Sequence, residues 1–200
     1  MTNTRELRVR KQVALEAARI MAKEAIRDFL VAKRKAALRL GISEARFLPR
    51  NIEIKDALAD YQRLFHSETQ PNQLRALQET AVEAMRYFAA FQPHLTGEVL
   101  DGIANQYSYI TLHLFADTVE DVALFLQRER IPFKTKQRRL RAYKDKYKEY
   151  PIYQFMAEDH AIELVVFPVD GLRQAPCSPV NGKPMGRASL TAVQAMLTEM

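Results

Sequence analysis

The chain has a single cysteine, Cys177, and four scattered histidines, His66, His94, His113 and His160, in 200 residues. One thiol excludes an internal disulfide, and the histidine positions show no zinc-ligand spacing, so no structural metal is expected. No run of 18 or more apolar residues occurs, which argues against a membrane span. The opening MTNTRELRVRKQ lacks the apolar segment of a secretory signal, and a cytoplasmic setting is the expectation. A serine-hydrolase elbow, a Walker loop and a dinucleotide fingerprint are also missing. What is present is ordinary for a globular chain: 48% hydrophobic residues, enough for a real core, and 27% charged residues for a soluble surface.

The net charge of +6 is unevenly distributed. Residues 1–40 hold eleven Lys/Arg against four Asp/Glu, residues 133–150 hold eight against two, and the remainder is acidic. Basic segments of this kind suit contact with phosphates, and they equally suit solvated helix or strand faces.

From about Thr4 to Leu40, Ala14, Ala18, Met21, Ala25, Phe29, Ala32 and Ala36 recur in steps of three and four, one stripe along a single long helix that Gly41 ends. A stripe of alanines lets another helix approach closely, while Arg19, Lys23, Arg27 and Arg34 stay in water. Asn51 is placed to cap a second helix through about His66, and a third runs from about Asn72 to Phe91 with Leu74, Leu77, Ala81, Ala84, Met85 and Phe88 buried.

Beyond Pro93 the apolar period changes from 3.6 to 2. Strands are expected at about 97–101, 108–115, 133–143, 150–156 and 161–167, with one helix at 118–129. PCSPVNGKPMGR reads as a loop with an Asn-Gly turn, and SLTAVQAMLTEM as a final helix capped by Ser189. The expected fold is α+β: a helical region, 1–93, packed on a mixed sheet with flanking helices, 94–200.

The second strand poses a question. In QYSYITLHLFAD, Ile110, Leu112 and Leu114 point one way, and Tyr109, Thr111 and His113 the other. Read with what precedes it, GEVLDGIANQYSYITL resembles the signature of the nucleotidyltransferase superfamily, G-S-x-x-x-G on a strand and turn followed by S-D-x-D-L on the next strand. Gly97, Gly102, Ser108 and Leu112 match without a gap, and Glu163 in HAIELVVFP stands where that family carries a third carboxylate inside an apolar run. LHLFADTVEDVALFLQRERIPF and ELVVFPVDGLRQAP are similar to short bacterial proteins of the same type.

The departures are chemical. The two aspartates that would share catalytic Mg²⁺ are Tyr109 and Thr111 here, and the serine after the first glycine is Glu98, a negative charge where phosphate would come. The resemblance therefore implies a cleft formed by Gly97, Glu98, Gly102, Ser108, Tyr109, Thr111, His113 and Glu163 that binds a nucleotide or RNA without a metal cofactor and without transfer. Strands favour Tyr and Thr for their own sake, so an ordinary covered sheet face accepts the same residues.

Three other features bear on function. FKTKQRRLRAYKDKYKEYPIY interleaves Lys134, Lys136, Arg138, Arg139, Arg141, Lys144, Lys146 and Lys148 with Phe133, Tyr143, Tyr147 and Tyr150, a mixture able to neutralise a nucleic-acid backbone and stack bases. The same hairpin reads equally as a solvated edge kept from pairing by its lysines. Glu98, Asp101, Asp117 and Glu163 offer a displaced carboxylate set for an active, Mg²⁺-dependent nucleotidyltransferase, and the alanine-striped helix offers a protein-interaction adaptor. Those two are the alternatives to nucleotide or RNA binding. Cys177 has no His and acid partners in view and reads as an ordinary thiol.

Overall fold

The structure, a computed structural model, describes residues 4–65, 70–142 and 146–198. His66, Tyr143 and Lys144 lie outside the described residues. The chain is α+β, and its residues gather into two compact units, one from residue 1 to Pro71 with Pro179–Asn181, the other comprising 72–178 and 182–200. Among the described residues no helix is long and apolar enough to cross a membrane.

The first unit holds α1 (Thr4–Lys23), α2 (Phe29–Arg39) and α3 (Asn51–Phe65). The single helix expected over Thr4–Leu40 is broken. Ala25 takes a left-handed φ of 54°, and Asp28 restarts the helix as N-cap, its carboxylate accepting from Val31 N–H at 2.9 Å. The stripe is thereby folded on itself: Val13, Ala14, Ala17, Ala18 and Met21 of α1 are buried, as are Ala32 and Ala36 of α2 and Ile54, Ala57 and Leu58 of α3, whereas Ala25 is exposed. The alanines are consumed by neighbouring helices of the same unit. The apolar side chains left in water are others, Leu30, Val31 and Leu38 on α2 among them.

Ion pairs tie α1 to α2. Glu16 accepts from Arg19 and Arg39, and Glu24 from Lys35 and Arg39 at 2.7 Å each. Asn51 is the first residue of α3 and not its cap. Glu53 accepts the Arg50 backbone N–H at 2.7 Å, and Asn51 Nδ2 donates to the Pro179 carbonyl.

The second unit contains most of α4 (Gln70–Tyr87), then β1 (His94–Thr96), β2 (Ile110–Ala116), α5 (Val119–Arg128), β3 (Lys134–Arg141), β4 (Tyr147–Ala157), β5 (His160–Pro168) and α6 (Leu190–Thr198). The boundary falls at 71/72, ahead of the period change at Pro93, because α4 shares its core with the sheet. The strand order is β1-β2-β5-β4-β3, with β2 and β5 parallel and the other neighbours antiparallel. The strand expected at 97–101 is a turn, since β1 ends at Thr96 and Gly97 (φ 78°) and Gly102 (φ 72°) take left-handed backbone.

One sheet face carries Leu95, Ile110, Leu112, Leu114, Ile162, Leu164, Val166 and Tyr153. It packs with Leu74, Leu77, Ala81, Met85 and Phe88 around α4, Val122 and Leu126 of α5 and Val193 of α6. Each large side chain buried here contributes about 1.5–3 kcal/mol, so this face dominates the unit's stability. α5 starts at Thr118, whose N–H donates to Asp121 at 3.0 Å, and α6 follows Ser189, whose hydroxyl accepts from Ala192 N–H at 3.3 Å. Asp117 is exposed beside that start.

Candidate functional site

The opposite face answers the question posed by Tyr109, Thr111 and His113. All seven residues of β2 are buried, so the polar side is as covered as the apolar one, with Thr111 at 6% exposure and His113 at 1%. The register sets out two rows across the sheet. Thr96, Thr111, Glu163, Gln154 and Lys134 form one, and His94, His113, Val165, Ile152 and Lys136 the next. Phe115 and Phe167 continue beyond, stacked with ring centroids 5.8 Å apart. No helix residue enters the hydrophobic cluster of this face, which consists of Phe115, Leu140, Ile152, Val165 and Phe167 with Tyr150 against it.

Glu163 is the central residue. Its carboxylate is fully buried, and parallel pairing puts it level with Thr111 on the same face. Arg138 closes on it as a two-pronged fork, Nη1 to Oε1 at 2.8 Å and Nη2 to Oε2 at 2.9 Å, and Gln154 Nε2 donates to Oε2 at 2.7 Å. Both oxygens are engaged. A buried carboxylate is tolerable only with such compensation, because removing it from water costs several kcal/mol. Arg138, expected among the polyanion-binding cations, is committed to this internal pair.

The glycine turn lies alongside. A Cβ placed on Gly97 would stand 3.8 Å from Thr111 Cβ and Oγ1, so the turn packs against the Thr111 side chain, while its φ is what requires glycine. Glu98 does not point at an open phosphate position. It accepts the Ser108 hydroxyl proton, and Ser108 Oγ in turn accepts from Asn105 N–H at 3.0 Å. Ser108 is 5% exposed. The turn is held by Asp101 N–H to Gly97 O at 2.9 Å and Ile103 N–H to Glu98 O at 3.0 Å. Gly97, Glu98, Ser108, Thr111 and Glu163 thus share one neighbourhood. Tyr109, expected in the strand, is half-buried and precedes β2, which starts at Ile110.

His113 belongs to a second cluster, built with a residue the sequence did not point to. Arg187, in the segment returning along β1, donates from Nε to His113 Nδ1 at 2.9 Å and from Nη1 to Gly171 O at 2.7 Å. Its guanidinium lies 4.9 Å from the Phe115 ring centre and 5.0 Å from that of Phe167. Because Nδ1 accepts, the imidazole is neutral with its proton on Nε2. Burial, with the charges of Arg187 and Arg138 and the neighbouring His94, holds His113 well below the usual imidazole range. Burial lowers Arg187 itself to about 10.

These geometries decide what the site can hold. Tyr109 and Thr111 are neutral, and the one carboxylate among the expected ligand positions already carries a guanidinium, so the residues do not fit Mg²⁺. Among the described residues no group of three or more His, Cys, Asp and Glu side chains is arranged to hold a metal ion. The displaced set of Glu98, Asp101, Asp117 and Glu163 is therefore not assembled. The cleft expected from Gly97, Glu98, Gly102, Ser108, Tyr109, Thr111, His113 and Glu163 is a packed polar layer where Ser108, Thr111, His113 and Glu163 are concerned.

The basic hairpin is also reordered. Lys134, Lys136, Arg139 and Lys148 are exposed; Arg138 and Arg141 are half-buried, and Arg141 Nη2 lies 3.4 Å from the Gly182 carbonyl. Among the described residues, the aromatics expected to stack bases are occupied. Phe133 packs on Tyr153 with centroids 5.2 Å apart, Tyr150 on Phe167 at 4.4 Å, and Arg139 covers Tyr147 at 4.6 Å. Cys177, half-buried, donates its backbone N–H to the Arg141 carbonyl at 2.7 Å. Comparison with family models, curated proteins and solved structures finds no match to this chain.

Proposed function

We propose that this chain is a nucleotidyltransferase-like module that binds an anionic ligand, a nucleotide or RNA, and performs no metal-dependent transfer. The observation that carries the second half is the fork of Arg138 on Glu163. A guanidinium occupies the carboxylate that would otherwise neutralise and position a metal, and it supplies positive charge with no open coordination position. The first half is supported by β3 and β4, where Lys134, Lys136 and Lys148 are exposed. A cytoplasmic setting belongs to the same proposal.

The test combines transfer and binding. The protein is incubated with labelled nucleoside triphosphates and RNA in Mg²⁺ or Mn²⁺, and affinity is measured in Mg²⁺ and in EDTA at matched ionic strength. Binding that persists in EDTA with no label transferred is the expected result. Robust transfer abolished by Glu163→Gln overturns the reading. The exposed Leu30, Val31 and Leu38 of α2, the last 81% exposed, favour a second reading as a protein-interaction adaptor. A partner retained after nuclease treatment and lost with Leu38→Glu would select it.

A further inference from the structure

The six cations on β3 and at the start of β4 do not form one patch, because strand alternation divides them between two faces. Arg138 reaches Glu163, so the even-numbered residues of β3 lie on the face of Thr111 and Glu163, and Lys134 and Lys136 project there with it. Lys148 pairs with Leu140 and shares that face. Arg139 and Arg141 project to the other side. The two sides differ in what stands opposite each cation. Lys134 faces Gln154, Lys136 faces Ile152 and Lys148 faces Leu140, none of them acidic. Arg139 faces Glu149 and lies over Tyr147, so its charge is met locally.

A further charge adds to the lysine side. Arg187 is held on it by a neutral imidazole and a backbone carbonyl, so no carboxylate cancels it at contact, whereas Arg138 and Glu163 cancel each other. Alternate residues along a strand stand about 7 Å apart, a separation that successive phosphates of an extended strand can follow.

Resting on the RNA-binding reading, we propose that a phosphodiester backbone binds across this one face of the β3–β4 ribbon. Lys134, Lys136 and Lys148 are the contacts, and Arg138 and Arg139 take no part. Contact is to phosphate rather than base, since Phe133 and Tyr150 are packed against other rings. Recognition is accordingly indifferent to sequence and sensitive to salt.

The experiment is fluorescence anisotropy of a labelled single-stranded RNA and a DNA of the same sequence over a range of salt concentrations. Wild type is compared with a Lys134→Ala, Lys136→Ala, Lys148→Ala triple variant and with Arg139→Ala, each checked by thermal unfolding. The triple variant is expected to lose about tenfold or more in affinity and to flatten the log-log salt dependence by about 2, at roughly 0.7 per phosphate contact. Arg139→Ala is expected to leave both unchanged, and RNA and DNA to behave alike. A triple variant with wild-type slope, or a loss confined to Arg139→Ala, overturns this surface while leaving the binding reading standing. Absence of RNA and DNA binding by wild type overturns the surface, and nucleotide binding alone would then keep the broader reading.

Discussion

The two faces of the sheet are both buried at β2, yet they are buried by different physics. On the helix-covered face, Leu112 and Leu164 sit among other hydrocarbon side chains and gain from removal from water alone. On the other face Thr111, His113 and Glu163 are equally hidden, and the burial of His113 and Glu163 is acceptable only because Arg187, Arg138 and Gln154 are in place. Burial on the first face tolerates some change of shape. On the second it fails when one partner is lost, and that dependence explains how His113 and Glu163 can be buried on interior strands of the sheet.

Five variants sharpen the contrast, from the largest expected effect to the smallest. Leu164→Ala, at a fully buried position on the first face, should cost toward the upper part of about 2–5 kcal/mol by denaturant unfolding, with lost contacts and a residual cavity as the causes. Arg138→Ala should cost about 3 kcal/mol, since it strands a buried carboxylate, the value tempered because the Arg138 side chain is 38% exposed and water reaches the gap. Replacing both members, Arg138→Met with Glu163→Leu, should recover most of that loss, because an apolar pair of similar size carries no stranded charge. A double variant no better than Arg138→Ala would show that the pair contributes more than mutual compensation.

His113 predicts a pH dependence of defined sign. Its folded value is depressed, so below the usual 6.5 the unfolded chain takes up a proton that the folded chain refuses. Stability conferred by the neutral ring is complete above that value and declines as pH falls below it. His113→Gln, which can still accept from Arg187, should flatten the melting temperature between pH 6.5 and 5. Glu16, Glu24 and Glu53 in the first unit are lowered from 4.5 by their Arg and Lys partners, so their contribution is lost only at lower pH and the two limbs are separable. The smallest effect is expected from the Lys134, Lys136, Lys148 triple alanine variant, within about 0.5 kcal/mol per site because these side chains are solvated.

Much of the sheet was legible in local pattern. Alternation located β2 and β5, the capping residues located α5 and α6, and the spacing of Gly97, Ser108 and Thr111 anticipated residues that do lie together. What was not legible depends on distant pairing. Nothing near Arg187 shows that the loop before α6 returns it to His113, and the commitment of Arg138 follows only once β3, β4 and β5 are adjacent. The break after α1 had a local signal in Asp28, a good N-cap, which the continuous alanine period masked. The apolar Val99 and Leu100 give the turn at 97–101 the look of a strand, although Gly97 and Gly102 at its ends mark left-handed backbone.

Under the proposed function, the Arg138 guanidinium stands where a metal-dependent transferase would hold its metal. Titrating Mn²⁺ into isotope-labelled protein and reading paramagnetic broadening of the Thr111 and Glu163 amide signals tests it directly. The account predicts no saturable broadening at either amide. Saturable broadening centred on Thr111 and Glu163, competed away by Mg²⁺, would contradict it.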